Sequence, residues 1–162
     1  MHEGSVISTA DMIGRNGHMR WPETLKWIEH LWAIMPDQYK FNFQFRVEHS
    51  EYLNWDCSRT GFEGIRAQDV LPLMVSRFGF TNFLGCGGVI DPFIERGYGH
   101  NIDADNPKDA AFIDFVEELN QVLLEAGAIK PTMMYACMRK TAVECSHYRG
   151  LTPELCVRVP TN

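Results

Sequence analysis

Strand-like and helix-like hydrophobic patterns alternate along this chain, and that alternation restricts it to layered α/β architectures. An apolar, β-branched run at 6–10 reads as a strand that ends in a loop at Asp11. Pro22 and Glu23 then open an amphipathic helix over 22–35, with Leu25, Ile28, Leu31, Trp32 and Met35 at helical spacing before Pro36. Residues 39–47 alternate strictly, Phe41, Phe43, Phe45 and Val47 against Lys40, Asn42, Gln44 and Arg46, which predicts an extended, half-buried segment. A helix is expected over 67–78, with Pro72 moving its start toward a capping Asp69 and Gly79 as its left-handed cap. A strand follows over 80–86, closed by Gly85, Gly87 and Gly88, and then a short helical turn over 91–96. Asn106 and Pro107 start a helix over 107–126 that ends at Gly127, and an apolar strand runs over 132–138. The expected fold is α/β, with a small three-stranded sheet and helices in one domain, 1–140. Residues 141–162 are expected as a loosely docked C-terminal arm.

The length of 162 residues suits a single domain with its own core. With 15 basic and 21 acidic side chains, the net charge of −6 argues against broad binding to nucleic acid phosphates. No run of about 20 apolar residues is present, so no membrane span is expected, and 1–10 do not read as a signal peptide. The five cysteines include no C-x-x-C pair and read as free thiols in a reducing cytoplasm.

Five stretches offer chemistry. Asp11, Arg15, Asn16 and His18 crowd the loop after the first strand, where α/β proteins place their sites; the alternative is a turn bonded to itself. His49, Tyr52, Asn54, Trp55, Asp56 and Cys57 read as an aromatic and polar pocket lining, as plain packing, or as a thiol, imidazole and acid set. His100, Asp103 and Asp105 could hold a metal, yet they directly precede a helix, where such residues serve as caps; no metal is expected. The segment from Gly85 to Gly88 lacks the Lys and Ser/Thr of a phosphate loop and the G-x-G-x-x-G of a dinucleotide site. Arg66 could bind a substrate carboxylate or pair with an internal acid such as Asp56, and the internal pair is favoured.

The stretches ADMIGRNGHMRWPET at 10–24, NWDCSRTGFEGIRAQDVLPLM at 54–74, DPFIERGYGHNIDAD at 91–105 and IKPTMMYACM at 129–138 resemble the C-terminal part of bacterial class I S-adenosylmethionine-dependent methyltransferases. The resemblance runs from about Glu3 to Arg139. It implies a Rossmann-like sheet of seven strands in the order 3-2-1-4-5-7-6, with strand 7 antiparallel. The run 6–11 would be strand 5, preceded by a turn at Glu3 and Gly4. Residues 80–86 would be strand 6 and 132–138 strand 7, making the sheet mixed, with 15–78 shaping the substrate pocket. The glycine-rich loop after strand 1, which carries the methyl donor in that family, has no counterpart, since no G-x-G-x-G segment occurs.

The resemblance therefore implies S-adenosylmethionine as the family cofactor, while this chain alone is expected to bind no cofactor. The chain reads as a C-terminal fragment, a truncated homologue or half of a split enzyme, without autonomous activity. An uncovered strand 5 would invite pairing, so a homodimer, a higher oligomer or a separate N-terminal half is expected. Asp11, Asn16, His18, Trp55, Asp56, Arg66 and His100 are the candidates for the substrate side, and no residue is assigned to catalysis. A standalone small-molecule binding module with an aromatic pocket over 41–55 is the alternative. A cysteine- or metal-dependent enzyme is a third.

Overall fold

The computed structural model describes residues 5–141 and 144–159. The turn expected at Glu3 and Gly4 lies outside them. Strand β1 (Val6–Met12) leads to α1 (Pro22–Ile34), the short strands β2 (Phe41–Asn42) and β3 (Val47–Glu48), and α2 (Ala67–Val75). Strand β4 (Gly79–Cys86), the single turn α3 (Asp91–Ile94), α4 (Pro107–Glu125) and β5 (Met133–Arg139) follow. The chain continues through β6 (Ser146–His147) and α5 (Pro153–Cys156).

The result is a mixed α/β fold with a four-stranded sheet in the order β1-β5-β4-β6 and a separate hairpin of β2 and β3. Strand β5 is antiparallel to both long neighbours, with Thr9 opposite Ala136 and Ala136 opposite Phe83. The expected three strands are all present. The fourth, β6, is added parallel to β4 by two residues of the C-terminal arm.

The side-chain period of two divides the sheet into a dry face and an open one. Phe80, Phe83, Met134, Ala136 and Met138 point into one core with Ile28, Leu31 and Trp32 of α1, Leu71 of α2, Phe93 of α3 and Val116, Leu123 and Leu124 of α4. On the other face Val6, Leu84 and Tyr135 remain exposed. Leu151 and Cys156 also join the core, so the arm is packed down rather than loosely docked, because its few apolar groups find the uncovered end of β4.

Local signals set the helix ends. The Asn106 side chain accepts the Lys108 N–H, Pro107 occupies the first turn, and Gly127 at φ 68° lets the chain leave α4. Two expected caps around α2 are different. Arg66, not Asp69, precedes the helix, and Asp69 sits in its first turn, where its carboxylate favours the positive end of the helix and pairs with Arg66. Gly79 is the first residue of β4 rather than a left-handed cap, because Ser76 closes the helix with backbone bonds to Pro72 and Met74.

The alternating run 39–47 is not one extended segment. Asn42 accepts the N–H groups of Gln44 and Phe45 on its side-chain oxygen, Arg46 takes φ 55°, and the chain folds back as a hairpin. An Asn side chain that closes a turn on its own following residues outcompetes the weak drive of a short alternating strand.

Candidate functional site

A cavity of about 780 Å³ opens beyond the carboxyl end of β1, lined from Met12, the loop 17–20, the hairpin, 52–63 and 95–98. That volume lies in the range of small-molecule sites. Its framework is a buried cation. Arg20 is 3% exposed; its Nη2 donates to Glu95 Oε2 at 3.0 Å, and Nη1 lies 3.4 Å from Asp91 Oδ2. Burial disfavours the Arg20 charge, but Tyr52, Asp91 and Glu95 outweigh it and hold the guanidinium firmly protonated. Burial also raises Glu95, with Arg20 pulling against it. Asp91 is held in turn by the Thr132 hydroxyl, which donates at 2.6 Å from the start of β5.

The backbone of Arg20 is pinned too. Its N–H donates to Asn54 Oδ1 at 2.7 Å, which draws the loop bearing Trp55 against the loop that follows β1. Behind the cavity, Trp32 packs edge-on against Tyr98 at 4.8 Å and Tyr52 at 5.5 Å, and the Tyr98 hydroxyl meets His49 Nδ1 at 2.7 Å. Burial raises the Tyr52 hydroxyl strongly, so it remains a neutral phenol. At the mouth, Phe45 and Trp55 stack edge to face at 5.2 Å, and Phe62 is 94% exposed.

His18 faces this space from a left-handed backbone position, φ 54°, just after Gly17 at φ 70°. Burial lowers the pKa of its imidazole, opposed by Glu63. Cys57 and Glu63 approach His18, and one donor atom from each lies within 4.8 Å of the others. Burial, then Glu63, raises the Cys57 thiol, so it is protonated at neutral pH.

The structure brings together only some of the expected site residues. His18 and Trp55 line the cavity. Asp11 lies near the end of β1, close enough to act on His18 through its charge. Asp56 sits behind the wall. Its carboxylate caps Ser58, pairs with Arg59 at 3.3 Å, and is held below the usual range chiefly by the Ser58 hydroxyl. Asn16 exchanges bonds with Gln68 and so joins the loop after β1 to the first turn of α2.

Arg66 pairs with Asp69 at 2.8 Å, not with Asp56, because three residues of separation at a helix start bring the two together without crossing the fold. His100 lies apart, edge-on to Phe43 at 5.4 Å in a shallow depression shared with Gln44 and Arg96. Of the acids expected as caps before α4, Asp103 instead closes a turn by accepting the Asp105 N–H, and the cap is Asn106; Asn101 donates to the carbonyls of Tyr39, Phe41 and Tyr98.

Sequence reasoning missed Arg20, Glu63, Glu95, Arg96 and Tyr98. Arg96 lines the cavity without an ion-pair partner among the described residues. A helical turn over 91–96 was expected, and it carries Asp91 and ends beside Glu95; that was the available signal. The imidazole that the structure brings near Cys57 is that of His18, 39 residues away, while His49 is engaged with Tyr98.

The glycines after β4 do not form a cradle for a cofactor. A Cβ on Gly87 would press on Thr132 and Asp91, and one on Gly88 would press on Asn120, so protein side chains already fill that space. Comparison with protein-family models, curated proteins and solved structures finds no match to this chain.

Proposed function

We propose that this chain is the substrate-side part of a class I methyltransferase-like fold, carrying an acceptor pocket and no methyl-donor site of its own. One observation carries the reading. Strand β5 runs antiparallel between β1 and β4, as strand 7 runs between strands 5 and 6 in that family. The cavity beyond the end of β1 agrees with it, since open α/β sheets bind ligands outside the carboxyl ends of their strands. At Gly87 and Gly88 the space beside the backbone is taken by Thr132, Asp91 and Asn120, so this reading places no donor there.

In this reading the chain orients an acceptor. Phe45, Trp55 and Phe62 supply flat apolar contact, and Arg96 supplies a charged donor group for an oxygen of the ligand. Methyl transfer depends on in-line placement, which such a pocket provides. The same aromatic mouth also favours a second reading, a standalone small-molecule binding module.

Two measurements test these readings. Calorimetry of the chain with S-adenosylmethionine should give no saturable heat, and micromolar binding would overturn the absence of a donor site. A fragment screen by NMR should perturb Phe45, Trp55 and Tyr98 together; responses confined to other surfaces would sink the pocket. A micromolar ligand that binds with no donor-side partner present favours the standalone module.

A further inference from the structure

We propose that His18, Cys57 and Glu63 form a three-ligand site for a zinc-like divalent cation, with a fourth position open to the cavity. The inference stands on these side chains alone and does not depend on a methyltransferase reading. One donor atom from each residue lies within 4.8 Å of the others, and all three line the same cavity. A tetrahedral zinc ion with bonds of about 2.0–2.3 Å needs donors roughly 3.3–3.8 Å apart. Glu63 is exposed, which leaves its carboxylate room to turn toward the other two donors.

The scaffold beneath these ligands is built to hold them. His18 takes φ 54°, an uncommon backbone state for a residue with a Cβ, and such strain is a pointer to function. Gly64 lies against the imidazole: a Cβ there would come within 3.0–3.1 Å of three ring carbons. Its own φ of 66° turns the chain so that Glu63 stands next to the ring. His18 Nδ1 is buried and has no hydrogen-bond partner. A buried imidazole nitrogen without a partner is an available donor for a metal.

The donor chemistry selects the ion. Nitrogen, sulfur and a single carboxylate suit zinc, whereas magnesium and calcium require oxygen. Arg20 is a nearby cation, but it is paired with Asp91 and Glu95. The Cys57 thiol now donates to the Glu63 carbonyl oxygen at 3.4 Å. Binding would form a sulfur–metal bond and release the thiol proton to solvent. Three protein ligands with one open position are the pattern of zinc sites that take a water or a ligand atom.

The test uses the full chain after chelation, titrated with cobalt(II) and then with zinc(II). One cobalt per chain is expected, with a thiolate-to-cobalt charge-transfer band in the near ultraviolet and tetrahedral d–d bands that zinc displaces. Cys57→Ser should abolish the thiolate band. Glu63→Gln, at an exposed side chain that leaves the fold intact, should weaken binding at least about tenfold. Cys137→Ser and Cys145→Ser should change neither. No binding by the unaltered chain at micromolar metal, or a thiolate band that survives Cys57→Ser, would overturn the site.

Discussion

The backbone N–H of Gly17 donates to the carbonyl oxygen of Gly64 at 2.8 Å, joining the loop that bears His18 to the loop that bears Cys57 and Glu63. Both glycines have positive φ, so a short hydrogen bond between two left-handed turns holds the wall of the cavity.

Gly17→Ala should break that wall. The added Cβ would collide with Asp56 Oδ1, and alanine is strained at φ 70°. A loss of about 2 kcal/mol in urea denaturation is expected. An unchanged midpoint would mean that the loop relaxes without strain.

Arg20→Met should leave Asp91 and Glu95 facing a cavity wall without their cation. Because the Glu95 side chain is 43% exposed, the loss belongs at the low end for a buried pair, about 3 kcal/mol. Glu95→Gln added to Arg20→Met should recover part of it. A double-mutant cycle with no coupling would show that the pair is energetically silent.

Asn120 Oδ1 accepts the Val89 N–H at 2.8 Å inside the core. Asn120→Ala orphans that buried N–H and should destabilise by about 2 kcal/mol. Hydrogen exchange at Val89 should accelerate in the variant. Continued slow exchange at that amide would count against the assignment.

Asp109 accepts the Asp103 N–H at 2.9 Å and the Tyr39 hydroxyl at 2.7 Å, and these bonds, the backbone one first, hold it below its ordinary 3.8. The unfolded chain therefore binds this proton more readily than the folded one. The contribution is present above pH 3.8 and is lost as the pH falls through the folded value. Asp109→Asn should be less stable than the unaltered chain near neutral pH, and the difference should shrink on acidification. Parallel denaturation curves at every pH would contradict it.

Different residues differed in how much they revealed beforehand. Pro22, Asn106, Pro107 and Gly127 act within one turn of themselves, so α1 and α4 were readable within a residue or two. The hairpin at 41–48 was misread although its signal was local. The bonds from Asn42 to Gln44 and Phe45 compete with alternation that looked decisive. Two of the expected site residues, His18 and Trp55, line the cavity, because they flank the loops that approach Arg20. Arg66 and Asn16 found partners elsewhere, since a polar side chain takes the nearest good geometry, which numbering does not reveal.

The amino-acid sequence by itself determined the long elements, the charge and the three main strands, because hydrophobic period and capping are properties of neighbouring residues. Only the tertiary structure decided that β6 joins the sheet beside β4, that Arg20 is buried against Asp91 and Glu95, and that Cys57 meets His18 rather than His49. Those relationships join residues tens of positions apart. They arise when the apolar faces close on a shared core and bring the intervening loops to one end of the sheet.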